Sequence, residues 1–405
     1  GIESFFFVIQ FLRRLADQLC QRRRLALIDR AVKDNGAEIG VITCGAAYQY
    51  AKEALGDSVN YLKLGMTNPL PDKLFLDFAA KCKTVYIIEE LDGILEQHAK
   101  ALGIDEKDVI VASTGVIGQV LPIEPIANAM DDLAGGLTYD GNKRALEAIM
   151  TTDTREKEIA VQFELGGKIC TMGGMLKGSG MIHPNMATTL TFLTTDADIS
   201  PEMIQLALSD IVKVTLNRAS VDGDTSTNDM VVVLANGMAE NEEITQENED
   251  FTIFMKVLNT VNVALCRMIA ADGEGATKLL ECEVSGAKDE ETAQIAAKSV
   301  ICSSLLKAAM FGADANWGRV MCAIGYSKAD VDVTRTEVSF RSRAGMINVC
   351  RNGAGVDFSE EEAKKILLED EIEILVDLHS GDACACAWGC DLTYDYVKIN
   401  GDYRT

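Results

Sequence analysis

The spacing of apolar and polar residues divides the chain into two textures. In the first hundred residues, short apolar runs at Ile39–Thr43, Val59–Leu64 and Thr84–Ile88 predict three buried strands. Between them, Tyr48–Leu55 has helical spacing. Asn68-Pro-Leu-Pro71 is a rigid turn, and Asp72 caps a helix predicted over Lys73–Lys81. Strands alternating with helices predict βαβ units on a parallel sheet. Beyond Lys100 the pattern changes to alternating strands, glycine-rich hairpins and long amphipathic helices.

In that second region Ser200-Pro-Glu opens a helix running to about Arg218, with Met203, Leu206, Ala207, Ile211 and Val214 on its apolar face. Phe251–Ala270 reads as another helix, and Ser359 with Glu362 forms a capping box for a third. Strands are predicted at Thr189–Thr195, Leu279–Ser285, Val331–Phe340 and Ile372–Leu378. No apolar run approaches the roughly 18–20 residues that cross a bilayer. Phe5–Leu12 is short and has Glu3 in front of it, which does not suit a secretory signal.

Composition narrows the class. With 405 residues, 48% hydrophobic and 25% charged, the chain matches a globular protein of two or three domains. A formal net charge of −24 argues against binding to nucleic acid or anionic membranes. Twelve cysteines without a secretory signal predict a reducing, cytoplasmic setting.

Three histidines, His98, His183 and His379, are all that a Ser-His-Asp or Cys-His triad could draw on, and none has the usual local signature. Cys384-x-Cys386-x3-Cys390 lacks the paired spacing of zinc and iron–sulfur sites and reads as small apolar residues in a strand or turn. Asp222–Asp229 looks like a calcium loop, but Thr227 and Val233 stand where glycine and a bidentate glutamate belong. Neither pattern reads as a metal or cofactor site.

The informative stretch runs from Gly173 to Asp196. A glycine-rich segment leads through His183-Pro184-Asn185 into Ala187-Thr188, where a strand begins. A threonine at such a junction, after a small residue, has the layout of an autoprocessing site. Its hydroxyl can attack the preceding carbonyl to give an ester that water cleaves. The freed α-amino group has a reference pKa of about 7.7–8.0, so it can serve as base for its own hydroxyl. One residue then supplies both nucleophile and base. A threonine-rich strand after a glycine loop is the plainer alternative.

Further motifs resolve the choice. Ala112-Ser-Thr-Gly-Val-Ile-Gly118, Met150-Thr-Thr-Asp-Thr154, Gly174-Met-Leu-Lys-Gly-Ser-Gly-Met181 and Asn185-Met-Ala-Thr188 appear in order. They are followed by Ser220–Asp229, Gly273-Glu-Gly-Ala-Thr-Lys278, Gly312–Arg319, and Asp391–Tyr396 with Tyr403-Arg-Thr405. Over about residues 105–405 the chain resembles the ornithine acetyltransferase (glutamate N-acetyltransferase) family of arginine biosynthesis. That resemblance implies a layered α/β fold and cleavage between Ala187 and Thr188, giving an α part (105–187) and a β part (188–405). Thr188 would be the nucleophile, and Thr114 with Gly115 would form the oxyanion hole. Thr151, Lys177, Glu274, Asn400 and Thr405 would join Thr188 in contacting substrate. The implied partners are N-acetylornithine, glutamate and, in some members, acetyl-CoA, within an assembly of two α and two β chains.

The N-terminal hundred residues resemble a different family. Ile39–Gly56, Leu62–Pro71 and Val85–Asp92 are similar to the transketolase-C-terminal-like domain of the indolepyruvate ferredoxin oxidoreductase α subunit. The chain therefore reads as a chimera, a foreign βαβ segment (1–104) joined near Ala99–Asp105 to the acetyltransferase-like region. Two other readings remain open at this point: a self-processing aminopeptidase or amidase with water as acceptor, and an unprocessed, inactive chain.

Overall fold

In the computed structural model, residues 110–116, 120–183, 189–226 and 228–402 are described in full, and four N-terminal strands are described by their backbone alone. The chain divides into two units. One spans Phe6–Val111 and Val120–Leu137, the other chiefly Ala112–Gln119 and Thr138–Thr405.

The smaller unit holds a four-stranded sheet of β1 (Arg30–Lys33), β2 (Ile39–Cys44), β3 (Asn60–Leu64) and β4 (Thr84–Ile88), in the order β1-β3-β2-β4. β2 pairs in parallel with both β3 and β4, as the apolar runs predict. β1 pairs antiparallel with β3 and has no counterpart in the sequence reading. The helices predicted at Tyr48–Leu55 and Lys73–Lys81 lie outside the described residues. Two short helices, α1 (Ile123–Asn128) and α2 (Met130–Gly135), belong to the same unit.

The larger unit is layered. Helix α3 (Asn142–Ile149) precedes a sheet of β5 (Glu158–Leu165), β6 (Lys168–Lys177), β7 (Leu190–Thr195) and β9 (Met230–Ala235), in that order. On β6, Cys170, Met172, Leu176 and their neighbours bury their side chains under α4 (Pro201–Val214) and α5 (Glu249–Ala271). The other side of α5 meets a seven-stranded sheet that begins at β8 (Ala219–Ser220). Its other strands are β10 (Leu279–Ala287), β11 (Glu337–Ser342), β12 (Gly345–Arg351), β13 (Ala354–Gly355), β14 (Glu371–Asp377) and β15 (Ala383–Cys390). Helices α6 (Glu290–Cys302), α7 (Ser304–Phe311), α8 (Trp317–Tyr326) and α9 (Glu360–Leu367) supply a second core over that sheet. The terminal helix is α10 (Tyr394–Asp402).

Local signals behave as the sequence suggests, with three corrections. Ser200 caps α4 by accepting from the Met203 N–H, and Ser359 caps α9 by accepting from the Glu362 N–H. However, α4 stops at Val214, because Thr215 leaves the helical region and turns its hydroxyl onto the Ile211 carbonyl at 2.6 Å. A 3-10 turn then carries the chain to Arg218. Val331–Phe340 is not one strand, since Asp332 caps a 3-10 turn over Val333–Arg335 before β11 begins. Finally, α5 is long and apolar enough by length and composition to cross a membrane. Lys256, Asn262 and Arg267 interrupt its apolar run, so no continuous apolar stretch marks it in the sequence. Phe254, Leu258, Val261, Leu265 and Ile269 on this helix are fully buried core residues.

Candidate active site

Strand register sets the frame. Lys177, the last residue of β6, pairs opposite Leu190, the first of β7, and Leu190 pairs in parallel with Met230, the first of β9. Asp229 directly precedes that strand. Ala187 and Thr188 lie outside the described residues, but both ends of the stretch that contains them are anchored. On one side the Met181 and Ile182 N–H groups donate to the Asp222 carboxylate at 2.6 and 3.0 Å, and Val221 N–H donates to the Ile182 carbonyl. On the other, Met230 N–H donates to the Thr189 carbonyl at 2.9 Å.

Three of the expected substrate residues converge here. Lys177 lies within the electrostatic reach of Asp153, Asp229, Glu274 and Lys157, and burial pulls its ammonium below the ordinary lysine range. Glu274 follows α5 and is only 7% exposed. Its N–H donates to the Ser179 carbonyl at 3.0 Å, while its carboxylate accepts from the Asn400 amide at 2.8 Å. Gly180 makes room for that carboxylate, since a Cβ there would collide with it. Thr151 is exposed, with its N–H held by Asp153 at 3.1 Å. Thr114 and Gly115 are exposed, in a stretch without helix or strand. Thr405 lies outside the described residues.

The electrostatics are those of a cation among carboxylates in partly desolvated surroundings. Burial pushes the Asp229 carboxyl up to about 7, against opposing help from Ser226 and Lys177. Burial also raises Asp222 against its three backbone N–H donors. Tyr396 on α10 is pushed up by burial and by the negative charges of Asp222 and Glu274, so the terminal helix also bears on the turn before residue 184. His183 Nδ1 lies 3.1 Å from Ser220 Oγ and 3.6 Å from Cys302 Sγ, and burial lowers its basicity.

Sequence reasoning missed a buried network beneath this site. Lys157 Nζ lies 2.7 Å from Asp153 Oδ1 and 2.5 Å from Asp272 Oδ2. Asp272 is the C-cap of α5 and also accepts from the Thr154 and Arg155 N–H groups and the Thr154 hydroxyl. Asp153 accepts from Gly178 N–H at 2.7 Å. Burial would raise Asp153, but Lys157 and the Gly178 N–H outweigh it and hold the carboxyl below its ordinary value. Asp272 lies 115 residues from Lys157, and no spacing rule links them. A cavity of about 470 Å³ is lined by Asp272 with Thr154, Arg155, Gly275, Lys398 and Asp402. Lys177 and Glu274 do not line it, so the convergent polar groups rather than that cavity mark the site.

The family model described as the ArgJ family matches residues 82–405. The chain belongs to the ArgJ family. It is 50% identical to the arginine biosynthesis bifunctional protein ArgJ of Caldanaerobacter subterraneus subsp. tengcongensis over 318 residues, 78% of this chain and 79% of that relative. It is 52% identical to the arginine biosynthesis bifunctional protein ArgJ 1 of Clostridium acetobutylicum over 310 residues, 76% of each. A solved structure of the arginine biosynthesis bifunctional protein ArgJ from Bacillus halodurans is 49% identical, with a TM-score of 0.49 over 52% of this chain and 97% of that one.

Proposed function

We propose that this chain moves an acetyl group from N-acetylornithine to glutamate in arginine biosynthesis, after cleaving itself between Ala187 and Thr188. The observation that carries the reading is the convergence of Lys177, Glu274 and Asn400 beside the start of β7, two residues after Thr188. Family membership supplies the reaction class.

In this mechanism the free amine of Thr188 takes the proton from its own Oγ, which attacks the acetyl carbonyl of N-acetylornithine. The Thr114 hydroxyl and Gly115 N–H stabilise the oxyanion. Ornithine leaves with the proton, and the glutamate amine then attacks the acetyl ester and regenerates Thr188. Lys177 pairs with a substrate carboxylate, and Glu274 complements the second amino group of ornithine. Thr151, Asn400 and Thr405 complete the substrate contacts. A second activity, acetylation of glutamate by acetyl-CoA, fits the word bifunctional in the relatives' names. We assign the protein to the cytoplasm as an assembly of two α and two β chains.

The N-terminal segment enters the same proposal. The curated relatives align with about three quarters of the chain, which leaves room for a foreign segment ahead of the family region, and its likeness to the oxidoreductase α subunit rests on the sequence motifs alone. The family match begins at residue 82, upstream of the joint proposed near Ala99–Asp105, so it takes in Val85–Asp92 and leaves Ile39–Gly56 and Leu62–Pro71 as the motifs that support a foreign segment.

Denaturing electrophoresis with intact mass tests the central reading. Two species separated at Thr188 and acetyl transfer to glutamate are expected, and both should be lost in Thr188→Ala. A single intact species without transfer would make the chain an inert one, and acetyl release to water alone would make it an amidase.

A further inference from the structure

We propose that Lys157 is a positioning residue of the acetyl-transfer site, fixing through Asp153 and Asp272 the turn that carries Thr151 and the turn that follows Lys177. The inference rests on the reading above and adds a group that never touches substrate.

Lys157 is 1% exposed, and its two carboxylate partners are buried as deeply. Desolvating such ions costs several kcal/mol each, and apolar side chains of similar volume commonly serve stability as well or better. What apolar groups cannot do is collect donors. Asp153 gathers the Thr151 and Gly178 N–H groups, one from each turn. Asp272 gathers the Thr154 and Arg155 N–H groups, and its own carbonyl accepts from the Ser179 hydroxyl at 2.6 Å. Both turns thereby hang on two carboxylates that share one ammonium. Gly178 and Ser179 follow Lys177 directly, and the Ser179 carbonyl receives the Glu274 N–H. The network therefore sets the positions of Thr151, Lys177 and Glu274 together.

It also bears on the charge of Lys177. The groups facing Lys177 are Asp153, Asp229 and Glu274, which favour its ammonium, and Lys157, which disfavours it. Removing Lys157 raises the basicity of Lys177, whereas removing the Asp153 charge lowers it. A network that only filled space would do neither.

The test uses the full, self-processed chain, with Lys157→Met and Asp153→Asn compared with wild type for kcat, KM and pH profile with N-acetylornithine and glutamate. Each variant should raise KM about tenfold with a smaller fall in kcat, in line with losses at groups that orient contact residues. The alkaline limb should move up in Lys157→Met and down in Asp153→Asn. Lowered thermal stability with wild-type KM and an unmoved limb would overturn the proposal. If Lys157→Met does not fold, Asp153→Asn decides alone, because it leaves the Lys157–Asp272 pair in place. Titration of Lys177, followed by NMR on carbon-13-labelled lysine with Lys177→Arg identifying the signal, separates the two failures. Shifted titration with no acetyl transfer in wild type sinks the reaction assignment, and unshifted titration sinks the network.

Discussion

Asn400 donates its side-chain amide to the Glu274 carboxylate at 2.8 Å although 126 residues separate them, and the same amide reaches the Tyr396 carbonyl at 3.1 Å. The terminal helix thus places a donor on a buried carboxylate beside Lys177. Asn400→Ala removes that donor, and hydrogen bonds to charged groups contribute roughly 1.5–3 kcal/mol when buried. Asn400 itself is exposed, so water replaces part of the loss. The expected outcome is a drop of about 1 kcal/mol in urea unfolding with a raised KM. Unchanged values of both would show that the contact carries nothing.

Gly180→Ala attacks the same carboxylate from the other side. A methyl at this position occupies the space of the Glu274 carboxyl group. Relief requires Glu274 to leave Asn400 or the 179–181 turn to shift, and overpacking of this kind costs about 1–3 kcal/mol. Activity should fall further than stability, because the displaced group is a proposed substrate contact. Wild-type kinetics in a folded Gly180→Ala chain would show that Glu274 need not sit where it does.

The architecture of the larger unit was legible because its signals are local. Ser200 and Ser359 sit at helix starts, and β7, β10 and β14 announce themselves by apolar alternation. Lys177 and Glu274 could be named as site residues only through family resemblance, since neither spacing nor composition brings positions 177, 274 and 400 together. The Lys157–Asp272 pair was invisible for the same reason, its partners being joined by the path of α5 rather than by any periodicity. Asp153 and Lys157 have the spacing of a surface helix pair, yet the chain there is a turn and the pair is buried.

Thiol reactivity checks the strand reading of the clustered cysteines. Along β15, Cys384 is exposed, Cys386 half-buried and Cys390 buried. Burial beside Glu281 pushes the Cys386 thiol up, and burial outweighs the Lys307 ammonium in raising Cys390. Because the thiolate is the reactive form, alkylation of the native protein at pH 8 should modify Cys322 and Cys384 first among the described cysteines. Cys266, Cys282 and Cys390 should react only after unfolding. Peptide mass mapping reads the order, and early labelling of Cys390 would contradict its placement.

The carboxyl of Asp229 provides a pH-dependent signature. Burial lifts it from the ordinary value of 3.8 to about 7. Between pH 4 and pH 7 the unfolded chain gives up this proton while the folded chain keeps it, so stability from this group falls as pH rises and levels off above about 7. An amide at the same position has no proton to lose. Asp229→Asn should therefore match wild type near pH 4 and exceed it increasingly up to pH 7, with a constant advantage beyond. Asp229 is only half-buried, so screening limits the gain to about 1 kcal/mol. Denaturant unfolding at pH 4, 6 and 8 measures it. An advantage that is largest at pH 4 would reverse the sign and show that the carboxylate is stabilised, not penalised, by its surroundings.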